Sequence, residues 1–66
     1  MRNRLPELRR ERRWSQETLA SMLGVSRQTI NAVEAGRFVP STVLALKIAR
    51  CFGKSVETVF QLEESD

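Results

Sequence analysis

Apolar and polar positions alternate most clearly between Gln16 and Glu34, QETLASMLGVSRQTINAVE. Leu19, Met22 and Leu23, with Ala20 beside them, recur at helical spacing and so are expected to line one face of a helix. Gly24 ends that helix, because glycine adopts the left-handed conformation of a C′ residue without a Cβ clash. Val25 follows as an apolar plug, and Ser26 is a good N-cap for the next helix. That second helix is sharply two-faced. At about 100° per residue, Ile30 and Val33 fall on one side and Arg27, Gln28 and Asn31 on the other. The pattern predicts two helices joined by a tight turn, one face packing and the other reaching outward.

The flanking segments read as support for this pair. Met1 to Leu5 is basic and aperiodic, an extended lead-in. Pro6 suits the first turn of a helix, which runs to about Arg12 with Leu5 and Leu8 as core contacts and Arg9, Arg10, Arg12 and Arg13 as a basic remainder. Two leucines are too few to anchor this basic helix at a membrane surface. Trp14 precedes Ser15, the expected N-cap of helix 2, and Leu19 stands where a hydrophobic staple needs it, so Trp14 reads as core rather than as a platform for a base. Gly36 supplies the next C′ residue. The loop Arg37-Phe38-Val39-Pro40 follows, with Phe38 folded inward, and Ser41 caps helix 4, Thr42 to Phe52. This helix carries one apolar stripe at Ala45, Ala49 and Phe52 and a second at Leu44, Ile48 and Cys51. Two stripes exceed one small core, so part of the helix is expected to face a partner subunit. Gly53 ends it, and Ser55 caps a short helix 5 presenting Val56, Val59 and Phe60. Gln61-Leu62-Glu63, at the start of the acidic tail, reads as a short strand able to pair with the lead-in.

Sixty-six residues make one small domain, 1–66, and a chain this size buries only about 60% of its unfolded surface. Association with a second copy is a natural source of further stability. No apolar run approaches the roughly 20 residues of a membrane span, and the N-terminus is too charged for a secretory signal, so a cytoplasmic location is expected. The chain has one cysteine, Cys51, and no histidine. An internal disulfide, a zinc site and a His-dependent catalytic dyad are therefore ruled out, and no cofactor is expected. Without tyrosine or evidently paired carboxylates, an enzyme is a distant reading. Net charge is only +3, but it is segregated. Residues 1 to 50 carry ten Lys or Arg against four acids, whereas residues 51 to 66 carry one Lys against four acids. The basic part holds the outward-facing helix, which favours a polyanionic partner.

Arg27, Gln28 and Asn31 have the chemistry to read DNA: arginine donates two bonds to guanine, and glutamine or asparagine both donates to and accepts from adenine. The stretch resembles the phage-repressor and Cro type (XRE family) of helix-turn-helix transcriptional regulators, matching it at Gln16, the small Ala20, Gly24, Val25-Ser26, Ile30 and Glu34. The likeness runs from Leu5-x-x-Leu8-Arg9 through Gly36, Pro40-Ser41 and Ala49 to Phe60. It implies an all-α, five-helix lambda-repressor-like DNA-binding domain, with a short pairing of its termini and a recognition helix, 27–35, in the major groove of double-stranded DNA. Arg27, Gln28 and Asn31 are then expected to read bases, and Gln16, Ser26, Thr29 and Arg37 to hold the phosphate backbone, the roles of Gln16 and Arg37 being those the family implies. The family also implies an Arg9–Glu34 ion pair that neutralises an acid close to DNA. Repression is expected on family grounds alone.

This chain departs from the pattern at Arg13, where glycine is frequent, so helix 1 is expected to end differently. It departs again at Ala35, where asparagine is frequent, and any role of that asparagine is lost. A symmetric homodimer is expected, joined through Leu44, Val56, Val59, Phe60 and Leu62, on a palindromic operator. The alternative function is a protein-interaction module such as an antitoxin-like partner, although no toxin-binding extension is evident.

Overall fold

Four serines begin four of the helices in the computed structural model, which describes all 66 residues. Ser15, Ser26, Ser41 and Ser55 each hold extended backbone, and each hydroxyl accepts the amide three residues on, at 3.0, 3.1, 3.1 and 3.2 Å. Such a cap contributes about 1 kcal/mol by satisfying an amide that the helix cannot. In chain order the elements are β1 (Arg2–Asn3), α1 (Leu5–Glu11), α2 (Gln16–Leu23), α3 (Arg27–Glu34), α4 (Thr42–Phe52), α5 (Val56–Val59) and β2 (Phe60–Gln61). β1 and β2 pair antiparallel, Arg2 opposite Gln61 and Asn3 opposite Phe60. The second strand begins one residue earlier than the sequence suggests, since Phe60 leaves the helix with φ −121° and ψ 135°. Beyond it, the Met1 ammonium lies 3.1 Å from Asp66 and 3.2 Å from Glu63. Hydrogen bonds to Asp66 and Glu63 raise the ammonium pKa, while the Glu63 backbone amide, and then the ammonium, hold Asp66 below its ordinary value.

The core lies where the five helices meet. Leu5, Leu8, Leu19, Ala20, Leu23, Ile30, Val33, Ile48, Ala49, Phe52, Val59 and Phe60 form one buried cluster. Two expected members are absent. Met22 is 52% exposed, because the inward direction of α2 is set by Leu19, Ala20 and Leu23, and Met22 points about 100° away from their centre. Phe38 is exposed as well, and Pro40 is the loop residue buried instead. The two stripes of α4 also resolve differently. Ile48 joins Ala49 and Phe52 in the core, Leu44 and Cys51 are half-buried, and the surplus apolar face is Val43 and Leu46 on the opposite side.

Helix α1 keeps the left-handed ending that its lack of glycine argued against. Arg13 sits at φ 57°. Its amide donates to the Arg10 carbonyl, and the Trp14 amide donates to the Arg9 carbonyl, both at 3.0 Å. These two bonds close the helix end and offset a left-handed penalty of about 1–2 kcal/mol. The turn also delivers Arg12 onto the far end of α4. Its Nη2 donates to the Phe52 carbonyl at 3.0 Å, and its guanidinium lies 5.3 Å from the Trp14 ring and 5.7 Å from the Phe52 ring. Trp14 and Phe52 are themselves 5.3 Å apart. Trp14 is thus a packing residue, half-buried and covered by a cation on one side.

Replacing Arg13 with glycine should relieve the strain in the folded state while adding freedom to the unfolded one, a net gain of about 0.5–1 kcal/mol. The melting temperature is expected to rise by about 2–8 °C. A thermal unfolding curve in which the glycine variant melts below the parent would show that Arg13 is not strained.

Candidate nucleic-acid interface

The turn between α2 and α3 is closed by backbone bonds. Gly24 ends α2 at φ 73°, and the Val25 amide donates to the Ala20 carbonyl at 3.0 Å. Val25 is half-buried against the core, so the chain enters α3 at a fixed angle. Ile30 and Val33 then face inward, and α2 with α3 makes the most extensive contact between any two elements. The opposite face presents Arg27, Gln28 and Asn31, all exposed. Arg27 takes part in no ion pair. The three side chains expected to read bases therefore share one ridge of a helix whose other face is anchored.

A polar network fixes that ridge to the rest of the molecule. Glu34, whose side chain is 7% exposed, receives Arg9 Nε at 2.8 Å and Arg9 Nη2 at 3.1 Å. Arg9 also donates from Nη1 to the Trp14 carbonyl at 2.9 Å. The carboxylate raises the pKa of the already strongly basic guanidinium. The Arg9–Glu34 pair thus stands as the family resemblance implied, tying α1 to α3 and neutralising an acid beside the exposed ridge. A third donor, Gln16 Nε2, reaches Glu34 Oε1 at 3.1 Å. Gln16 Oε1 in turn accepts from Asn31 Nδ2 at 3.4 Å, and Asn31 Oδ1 accepts from Arg37 Nη2 at 2.9 Å.

All four expected phosphate contacts, together with Asn31, are therefore engaged within the chain. Gln16 is half-buried between Glu34 and Asn31. The Ser26 and Thr29 hydroxyls lie 2.9 Å apart, with Ser26 also capping α3. Arg37 is exposed and swung back along α3. Its backbone causes this: Gly36 turns left-handed at φ 76°, and the Arg37 amide donates to the Ala32 carbonyl at 2.9 Å, which reverses the chain toward the helix.

Asn3 escaped the sequence reading. Its Nδ2 donates to the carbonyls of Val33 and Glu34, at 3.1 and 3.3 Å, and its Oδ1 accepts the Leu5 amide at 3.0 Å. One side chain thus closes the end of α3 and the start of α1. An asparagine three residues before a helical proline was the available signal.

The expected subunit interface needs correction. Val59 and Phe60 are buried in the protomer's own core, because α5 is only one turn long and its apolar residues close the monomer. Leu44 and Val56 are half-buried, while Leu62 is 78% exposed. Val39, Val43 and Leu46 are also left open, besides Met22 and Phe38. No helix is long and apolar enough to cross a membrane.

Residues 7–59 match the helix-turn-helix family model. The chain belongs to the helix-turn-helix family of DNA-binding transcriptional regulators. It is 48% identical over all 66 residues, spanning both chains fully, to an uncharacterized HTH-type transcriptional regulator of Bacillus subtilis, YgzD. It is 47% identical, again over both full lengths, to one of Methanocaldococcus jannaschii. Among solved structures it resembles the restriction-modification controller protein C.AhdI from Aeromonas hydrophila, with a TM-score of 0.78, 38% identity and 86% of each chain covered. In this helix-turn-helix domain the supporting helix is α2 and the recognition helix is α3.

Removing Arg9 strands the Glu34 carboxylate with Gln16 as its only side-chain donor. Arg9→Met should cost about 3 kcal/mol, near the low end for one half of a buried pair, and lower the melting temperature by more than about 10 °C. Glu34→Gln keeps an acceptor for both donors and should cost less than half as much. Equal melting of both variants and the parent would remove the pair from the account.

Proposed function

We propose that this regulator binds one specific double-stranded DNA sequence as a homodimer, on a palindromic operator, and acts as a repressor by occupying it. The observation that carries the reading is the Arg27, Gln28 and Asn31 ridge, solvent-exposed on a helix whose opposite face is fully packed and whose end is pinned by Arg9 and Glu34. Bidentate donors for guanine and donor–acceptor amides for adenine occupy the positions from which a recognition helix touches base edges. Gln16, Ser26, Thr29 and Arg37 border the ridge and hold phosphates. Activity resides in binding rather than catalysis, in the cytoplasm, with one domain and no cofactor. Repression rests on the family resemblance.

A second copy gives the open apolar face its occupant. Val39, Val43, Leu46 and Leu62 are exposed, and a groove of about 310 Å³ is lined by Val39, Pro40, Ala45, Leu46 and Val56. One recognition helix makes few base contacts. Two related by a twofold axis enter successive major grooves about 34 Å apart and double them.

Gln28→Ala should weaken operator binding by about 1–3 kcal/mol and relax preference at one base pair per half-site. Unchanged affinity and preference would place α3 outside the major groove. Sedimentation equilibrium at micromolar concentration should give a dimeric mass for the parent and a monomeric mass for Leu46→Glu, which stays helical but binds the operator more weakly. A monomeric parent together with an operator lacking twofold symmetry would refute the dimer.

A further inference from the structure

The hydrogen-bond chain Arg9, Glu34, Gln16, Asn31, Arg37 has donor-only groups at both ends, and this fixes the orientation of every amide between them. Glu34 is a carboxylate held by Arg9 and can only accept. Gln16 must therefore turn its nitrogen to Glu34, 3.1 Å away, and its oxygen to Asn31. Arg37 can only donate, so Asn31 must turn its oxygen to Arg37, 2.9 Å away, and its nitrogen to Gln16. The reversed Asn31 amide would set an NH₂ group against a guanidinium and an oxygen against an oxygen.

The capacity left over is specific. A primary amide has two donor hydrogens and an acceptor oxygen with two lone pairs. Gln16 uses one hydrogen of Asn31 and Arg37 uses one lone pair. One donor and one acceptor remain on an exposed side chain of the recognition helix. That pair matches the major-groove edge of adenine, which offers N7 as acceptor and N6 as donor, and mismatches guanine, which offers two acceptors.

We infer that Arg37 is a positioning residue for base reading, which by donating to Asn31 Oδ1 holds the amide in the orientation that selects adenine over guanine. This deepens the DNA-reading assignment above and rests on it. It also gives Arg37 a role that a phosphate contact does not include. A phosphate contact strengthens binding to every sequence alike, whereas an orienting bond acts at one base pair. The remaining support of Asn31, the 3.4 Å bond to Gln16, is long and leaves the amide free to rotate once Arg37 is gone.

The test uses the full chain and an operator selected from a random duplex pool. Dissociation constants are measured for that operator and for duplexes changed singly at each base pair, with the parent, Asn31→Ala, Arg37→Met and the double variant. Asn31→Ala identifies the pair it reads by abolishing preference there. The parent should favour adenine over guanine at that pair by about fivefold to a hundredfold. Arg37→Met should reduce this ratio by at least about threefold while leaving ratios at other pairs within about twofold, as expected when one base contact is altered. In the Asn31→Ala background it should change no ratio. The inference is overturned if Arg37→Met weakens all duplexes equally, lowers the salt dependence by about one phosphate contact and does the same without Asn31. If Asn31→Ala leaves every preference intact, the base-reading assignment itself fails and takes the inference with it. These two failures are distinguishable because the first leaves Asn31 reading its base.

Discussion

The carboxylate of Glu34 stands at the point where three helices would otherwise be free to slide. It is the last residue of α3, it is nearly removed from water, and it is bound by a guanidinium from α1 and an amide from the first turn of α2. An acid in that place without its partners would be costly twice over, once for lost hydration and once, on the proposed DNA-bound arrangement, for its closeness to phosphates. The bidentate geometry of Arg9 answers both. It also gives direction, since a guanidinium fork donates to a carboxylate in few orientations and so sets the roll of α3 about its own axis. Apolar packing of Ile30 and Val33 decides which face of α3 is buried, and the ion pair decides how far the opposite face is turned.

From that anchor, order spreads outward by hydrogen bonding and not by burial. Asn31 is exposed and Gln16 only half-buried, yet each is oriented by a partner whose own chemistry allows one arrangement. Asn3 acts similarly from the other side, donating to two carbonyls at the end of α3, that of Val33 being shared with the Gly36 amide. A recognition surface must stay wet to meet a wet groove, and polar scaffolding keeps it rigid without making it apolar. Arg27 and Gln28, at the free N-terminal end of α3, lie outside this scaffolding and keep their conformational freedom.

Much of this was legible in the sequence where the cause is local. Serine caps, left-handed glycines and the two faces of α3 follow from short-range sterics and periodicity, and the structure places them as expected. The Arg9–Glu34 pair came from the family resemblance, since no periodicity links residues in different helices. The misses concern direction and competition. Met22 has helical spacing with Leu19, but spacing does not say which of three neighbouring rows points inward. Phe38 is more apolar than Pro40, yet the loop geometry buries the proline. Val59 and Phe60 were assigned to a partner because the core looked thin and helix 4 carried a surplus apolar stripe, whereas both side chains close the monomer's own core. Arg13 shows that two backbone bonds can hold a non-glycine residue left-handed. The orientation of the Asn31 amide was invisible until both of its neighbours were placed in space.

The proposed site of recognition is the major groove, approached twice by α3 about one helical turn apart. Methylation interference on the selected operator measures this directly, because a methyl group on guanine N7 lies in the major groove and one on adenine N3 in the minor groove. The expected result is two clusters of N7 interference whose centres are about 10 base pairs apart, with no matching interference from N3. A single cluster, or interference confined to N3, would contradict it.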